Sequence, residues 1–523
     1  MKPIEPVWRF TVRDIDGLQT TITLGTVNRQ DQKLTASLEM SIRLPMPDQD
    51  AHLPDTIEAN VHAAGLEVER LLFRVLLEKA DQELVLEGRD GKGGEGIQRR
   101  GTRPYTFKTV FGTVTVERCR ICHKSDGTIE IPSASAWGTP HQLAITGNLR
   151  DAVCDQMSEH SAGASLEEIC EQAGAADLLG RSTVVEIVHE QGGRLAEAQR
   201  ERARAILANA SEQERAVLGS RSDRDLDAMP ADDPDDLPPF DPDDPAWQQA
   251  APEWVVTGFP GAEPSPPAPR DDPRAVDDTV VIVEPDEVKT KAQPSTGRKE
   301  IWTYTTVVLV AGLKYMVADA TTEGLWLQVS ALLLELQVLS GDRRLLVLGD
   351  GASWIRTWFE GLGIAPKAMI VCWWHLKKRC YEQLSLAGGP KDRRQALGKE
   401  LLGLLWEGKV DAAIALLATA TEWVRTPKGL EDLIGYLEKR RNYLPDYSER
   451  QRAGVWIAST QVEKFNDWAV SARCKHQGMS WSSEGVLALA SLETARRNGE
   501  LATWRRDGVL PNRPLPAPRS QAA

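Results

Sequence analysis

Residues 222–278 divide the chain. This segment includes DDPDDLPPFDPDDPAW and AEPSPPAPRDDPR and holds 13 of the 31 prolines. Proline withholds a backbone donor and like charges repel, so the stretch cannot bury a core and reads as a disordered, extended linker. The whole chain of 523 residues has 62 basic and 76 acidic side chains, a formal charge of −14. With 3 arginines against 16 acids, the linker carries −13 of that charge and leaves −1 for everything else. Bulk acidity therefore does not exclude a nucleic-acid partner for the folded parts, because phosphate affinity depends on local Lys and Arg clusters.

Other classes are excluded more directly. No run approaches the roughly 20 apolar residues that span a bilayer, so no membrane partner is expected. The start MKPIEPVWRF has no apolar h-region, which argues against secretion. Seven cysteines are too few and too scattered for a disulfide scaffold. A cytoplasmic location is the expectation.

Ahead of the linker, residues 1–135 read as an α+β region and 136–221 as a helical one. Alternating stretches in 7–44 suggest a small β unit, the apolar spacing of 55–87 one or two amphipathic helices, and YTFKTVFGTVTVERCRI a β-hairpin about Gly112. In 143–190, helix starts at Ser165 and at Arg181-Ser182-Thr183, separated by Gly174 and Gly180, fit either a helix-turn-helix or an ordinary helical hairpin. On the first reading Arg181 opens the DNA-facing helix. A further helical stretch is expected near 191–218. Cys119-Arg-Ile-Cys122-His123 supplies half a tetrahedral Zn²⁺ site, with His123, His141 or Cys154 as completions, or else simply two unligated thiols. Haem attachment uses the same letters but belongs outside the cytoplasm.

Beyond the linker, 279–523 has the order β-β-β-α-β-α-β: TVVIVE, WTYTTVVLVA, LKYMVADA, a helix near 323–339, Arg344–Leu348, a helix near 353–361, and Ala368–Trp373. Antiparallel strands followed by helix-linked parallel ones predict an α/β fold with a mixed, helix-covered sheet. Its first and fourth strands would be neighbours. Asp286 just after the one and Asp350 just after the other then meet at one sheet edge, with Gly349 and Gly351 allowing a tight turn. Paired carboxylates suit Mg²⁺ (or Mn²⁺) and phosphoryl transfer; each Asp alone also fits a solvated or helix-capping role. A third carboxylate is expected on a later helix, with Glu463, Asp467 and Glu484 as candidates. Residues 376–445 read as a helical insertion, with basic clusters at its entry that include Lys377, Lys378 and Arg379.

The phrases VEPDEVKTKAQ, LVLGDGASWIRTWF, CWWH and VEKFNDWAVSARCKHQGMSWSSEGVLALASLETAR resemble DDE-type transposases of bacterial insertion sequences, nearest to groups related to the mutator-like elements. The likeness covers roughly 279–506, with a looser match around the hairpin and helix-turn-helix. It implies an RNase H-like core in which Asp286, Asp350 and Glu463 are the catalytic, metal-binding acids. It also implies a role for Cys372-Trp-Trp-His375 in handling DNA, with His375, Arg473 and Lys475 beside the basic entry. The activity implied is metal-dependent cleavage of element ends and strand transfer, on double-stranded DNA carrying terminal inverted repeats and on target DNA, by a homo-oligomer at the nucleoid. An RNase H-like nuclease without strand transfer and a catalytically inactive DNA-binding regulator are the alternatives.

Overall fold

A computed structural model describes residues 8–11, 19–30, 33–43, 53–90, 96–139, 143–218, 278–364, 367–475 and 479–516. Nearly all of the 222–278 linker, and His141, lie outside these residues. The chain forms two compact units, 1–188 and 189–523. The division falls inside a helix, so residues 189–218 belong with the C-terminal unit rather than with the helical region that precedes the linker.

In the N-terminal unit, β1 (Trp8–Thr11), β2 (Gln19–Gln30) and β3 (Lys33–Arg43) form an antiparallel sheet in that order. A single helix follows, α1 (Leu53–Asp90). Next come β4 (Ile97–Thr109), β5 (Gly112–His123), β6 (Ile129–Glu130), the short α2 (Pro132–Ala136) and β7 (Leu143–Ile145), with sheet order β6-β5-β4-β7. The expected hairpin is β4–β5, antiparallel from Thr109↔Gly112 outward. Phe73 of α1 meets the rings of Phe107 and Phe111 edge-on and, with Val114 and Val116, closes a small core.

Helices α3 (Gly147–Glu159) and α4 (Ala162–Gln172) precede α5 (Arg181–Ala208). The segment 173–180 that separates α4 from α5 is longer than the roughly three- or four-residue turn of a compact helix-turn-helix. Helix α5 is unbroken through 191–208, so the separate helix expected at 191–218 is its continuation plus α6 (Glu212–Val217). Gly192 and Gly193 lie within it and do not end it.

The C-terminal unit is built on β8 (Val280–Lys291), β9 (Glu300–Val310), β10 (Leu313–Asp319), α7 (Thr322–Glu335), β11 (Arg344–Gly349), α8 (Ser353–Gly361) and β12 (Lys367–Val371). Sheet order is β10-β9-β8-β11-β12, with the first three strands antiparallel and β8, β11 and β12 parallel. The mixed α/β sheet is thus the one expected, and the first and fourth strands of this unit are neighbours. The β9–β10 turn puts Ala311 and Gly312 at positive φ, 48° and 80°, the conformation a two-residue hairpin loop demands.

Alternation across the strands separates two cores. Val281, Val283, Leu345 and Val347 face α7 and α8, where the rings of Trp326 and Trp358 stack 3.9 Å apart. Leu346, Leu348, Ile370 and Val371 face the other layer. That layer is the helical insertion: α9 (Trp373–Ala387), α10 (Lys391–Trp406), α11 (Val410–Ala420), α12 (Pro427–Arg440) and α13 (Tyr447–Arg452). It starts and ends slightly outside the expected 376–445. Because it supplies the second core, it is a structural layer of the domain, not an appendage.

The chain closes with α14 (Thr460–Asn466), a π-helical turn (Asp467–Ser471), α15 (Ala472–Cys474), α16 (Ser483–Arg497) and α17 (Leu501–Asp507). The end of α5 is bolted to this unit by buried charge. Glu500, 1 % exposed, accepts from Arg202 Nη1 at 2.7 Å and from Tyr315 Oη at 2.7 Å, while Arg200 Nη2 meets Asp319 at 2.6 Å. Truncating one partner of a buried pair strands the other in low dielectric. Glu500→Ala is expected to destabilise the fold by about 3 kcal/mol. Glu197→Ala, at an exposed pair with Arg204, should cost under about 1 kcal/mol; denaturant titration of the full chain compares the two.

Candidate active site

The site lies where β8 outruns its parallel neighbour. β8 pairs with β11 only over Val280–Val283 but with β9 from Ile282 to Lys291. From Glu284 onward the strand has one partner, and there Pro285, which lacks an N–H, is tolerated. Asp286 was expected just past the end of the strand; it stands within it, opposite Thr305 of β9. The reason is that pairing with β9 continues after pairing with β11 has ended. Asp350 directly follows β11, as expected. Gly349 brings the two together: a Cβ there would lie 3.3 Å from the Pro285 carbonyl oxygen. Gly351, at φ 80°, makes the turn into α8, and a side chain on it would strike Arg440 Nε at 2.9 Å.

The insertion holds this turn. Tyr436 Oη donates to the Asp350 carbonyl at 3.4 Å, Arg440 Nε to that of Gly351 at 3.0 Å, and Tyr447 Oη to that of Val371 at 2.7 Å. The Asp350 carboxylate accepts the Ala352 amide at 2.7 Å. At the next strand end, Cys372 donates its amide to Gly349 at 2.6 Å and leads into α9, one turn before His375.

Helix α14 brings the third carboxylate. Asp286, His375 and Glu463 line one cavity of about 330 Å³, with Glu287, Val288, Asn466, Asp467, Ser471 and Lys475. Glu463, Asp467, Ser471 and Lys475 recur every four residues. In a pure α-helix such a row drifts by about 40° per step. The wider π-turn at 467–471 offsets the drift, and π-bulges commonly serve functional sites this way. Asp467, one of the alternative third acids, therefore shares the cavity with Glu463; Glu484, on α16, does not line it. Sequence reasoning missed Asn466. Its Nδ2 donates to Asp286 Oδ2, and its Oδ1 accepts the Thr305 hydroxyl. An Asn three residues after a candidate acid, on the same helix face, was the available signal.

The electrostatics bind these groups into one unit. Burial, the negative charge of Glu463 and then that of Asp350 push the Asp286 carboxyl up to about 8. Burial works against a charged His375, but contacts with Cys372 and Glu463 outweigh it and hold the imidazolium well above its ordinary pKa. His375 Nε2 stands 3.2 Å from Glu463 Oε1. Desolvation raises the Glu463 carboxyl, yet His375, Lys378 and Lys475 together bring it below the usual range.

The remaining candidates separate. Lys475 is exposed at the cavity, and Lys378 and Arg379 are half-buried on α9. Lys378 pairs with Glu382 at 3.8 Å, and Arg379 lies over the Tyr436 ring. Lys377 and Arg473 were expected to face DNA but are buried, 8 % and 3 % exposed. Lys377 leans on Trp374, and Arg473 packs against Trp481 and Met479. Both lie on faces of their helices that turn into the domain. Arg181 is exposed at the start of α5, in the N-terminal unit.

The CxxC lies in β5, not in a metal-binding turn. Cys119 and Ile121 pack against Val85, so strand alternation aims Cys122 at the opposite face. Cys119 accepts from Arg99 Nη2 at 3.3 Å, His123 pairs with Glu130 at 2.9 Å, and Cys154 is buried in α3. Among the described residues no three His, Cys, Asp or Glu side chains stand at metal-binding spacing, in β5 or elsewhere. At β8–α14 Asp286 accepts from Asn466 and Glu463 pairs with His375, and the chemistry of these carboxylates suits a hard cation. The mutual repulsion that raises Asp286 is what a divalent cation would relieve.

Two outcomes test this description. Burial raises the thiols of Cys119, Cys380 and Cys474 to about 11, 12 and 12. Since the thiolate reacts, these thiols should stay unmodified by an alkylating reagent at pH 8 in the folded chain and react on denaturation, as peptide mass mapping would show. Asn466→Leu removes the donor to Asp286 and should destabilise the fold by about 1–3 kcal/mol in thermal unfolding.

Two comparisons with known proteins bear on this unit. No curated protein matches the sequence at a significant level. Residues 296–508, which carry Asp350, His375 and Glu463 but begin after Asp286, match the profile of an uncharacterised protein family (UPF0236).

Proposed function

We propose that this chain is a DNA transposase of the DDE type with an RNase H-like core. The observation that carries this reading is that Asp286 and Glu463, from a strand and a later helix, line one cavity, while Asp350, at the end of the neighbouring parallel strand and outside the cavity lining, is near enough for its charge to raise Asp286. The sheet order β10-β9-β8-β11-β12, antiparallel then parallel, supports the RNase H-like assignment. The sequence likeness to insertion-sequence transposases supports the substrate: terminal inverted repeats and target DNA, worked on by a homo-oligomer. On this reading the chain acts at the bacterial nucleoid in the cytoplasm, and α4 and α5, with Arg181, read the element ends. Among the described residues no helix is long and apolar enough to cross a membrane.

In this scheme Asp286, Asp350 and Glu463 would hold Mg²⁺ or Mn²⁺. When bound, the cation would neutralise phosphate charge and favour the deprotonated, attacking form of a water or 3′-hydroxyl. The side chains do the rest. Lys475, exposed at the cavity, draws in the phosphodiester backbone, assisted by Lys378 and Arg379 on α9. His375 in its charged form orients Glu463 and can donate to a phosphate oxygen. Water first cleaves a phosphodiester at the element end and leaves a 3′-hydroxyl. That hydroxyl then attacks a target phosphodiester in line, and the displaced target 3′-oxygen departs.

Asp350→Asn should lower Mg²⁺-dependent end cleavage by about a hundredfold or more while leaving DNA affinity in a mobility-shift assay within about twofold. Cleavage at the normal rate by this variant would sink the assignment. A pre-nicked end substrate separates the two nuclease readings: a joined product requires a transposase, and hydrolysis alone indicates a nuclease.

A further inference from the structure

Glu284 is a buried carboxyl that the proposed chemistry does not use. It lies in β8 two residues before Asp286 and is wholly buried, 0 % exposed. Its Oε2 accepts the backbone N–H groups of Gln461 at 2.9 Å and Val462 at 3.0 Å, both in the first turn of α14. A helix start ordinarily has its free amides satisfied by its own N-cap side chain. Ser459 occupies that position here, but its side chain makes no capping bond. A residue from a different element therefore caps the helix. The Ser459 amide is held as well, by Cys372 Sγ at 3.4 Å.

A carboxyl in this place is costly to fold, since a buried polar group without full pairing loses hydration. Its other oxygen, Oε1, has no partner among the described residues. An apolar side chain would fill the space at lower cost but could not grip α14. What the carboxyl accomplishes is a rigid link between the strand that carries Asp286 and the helix that carries Glu463. Asn466 closes the same link one turn later, by donating to Asp286. Two hydrogen-bonded ties, before and after Glu463, leave that residue little freedom relative to Asp286.

We infer that Glu284 is a positioning residue: by capping α14 from β8 it fixes Glu463 relative to Asp286, the two carboxylates that would share a divalent cation. This deepens the transposase reading and rests on it for the identity of the cation site. Supporting shells of this kind typically change metal affinity by about 10- to 100-fold when removed.

The test uses the full chain and Mn²⁺ alone, titrated by calorimetry, with amide hydrogen exchange followed over 459–463. Glu284→Ala is expected to weaken Mn²⁺ binding about tenfold and to speed exchange at Gln461 and Val462. Glu284→Gln keeps an oxygen acceptor and should restore both to within about threefold of the original chain. Should the alanine variant fail to fold, Glu284→Asp, one methylene shorter, carries the same expectation as alanine. Unchanged Mn²⁺ affinity together with unchanged exchange in Glu284→Ala would overturn the inference. If the unaltered chain takes up no Mn²⁺, the transposase reading falls instead. Exchange then decides the clamp alone: faster exchange in the variant upholds it, and equal exchange overturns it.

Discussion

The candidate site exists because β8 is longer than β11. Over Val280–Val283 the strand pairs with β11, at Ile282 and Val283 with β9 as well, and its residues are apolar. From Glu284 the parallel partner is gone, and the sequence changes at that point to Glu-Pro-Asp-Glu. Helix α14 packs against β8 and β9 over this stretch, and each of the three acidic side chains finds a partner on a neighbouring helix. Glu284 caps the helix, Asp286 accepts from Asn466, and Glu287 accepts from Trp354. The carboxylates lie where regular pairing stops, because only there can a strand present charge without burying it against a second strand.

The helical insertion has to be understood with that strand. Its helices supply the second core and, through Tyr436, Arg440 and Tyr447, hold the turns after β11 and β12 by their carbonyl groups. Asp350 and Cys372 therefore inherit their positions from residues about 75–90 places further along the chain. The tryptophans concentrated in this half serve mostly the same end. Trp326, Trp354 and Trp358 fill one core and Trp373 and Trp406 the other, while Trp374 and Trp468 remain at the surface.

Much of the fold was legible from local pattern. The β-branched runs mark β8 and β9, the apolar run Leu345–Leu348 marks β11, and a single Gly between WTYTTVVLVA and LKYMVADA marks a hairpin. The order of strands and helices then implies that β8 and β11 are neighbours. The length of β8 was not legible, because Pro285 and three acidic residues break the apolar run that signals a buried strand. The unbroken α5 was hidden by its two glycines. Among the proposed DNA contacts, composition could not tell exposed Lys475 from buried Lys377 and Arg473, since a cation's stem packs as well as its head solvates.

Taken alone, the sequence determined the acidic division of the chain, the α/β order of its C-terminal half, and acidic candidates after two apolar strand runs and on a late helix. Each of these follows from composition or from periodicity within a few residues. Tertiary structure decided which groups those carboxylates face. The His375 pairing with Glu463, the Asn466 tie to Asp286, the Glu284 cap and the π-turn that aligns Asp467 and Lys475 with Glu463 appear only after folding. All but the last join residues about 90 to 180 positions apart, and no local pattern encodes so distant a partner.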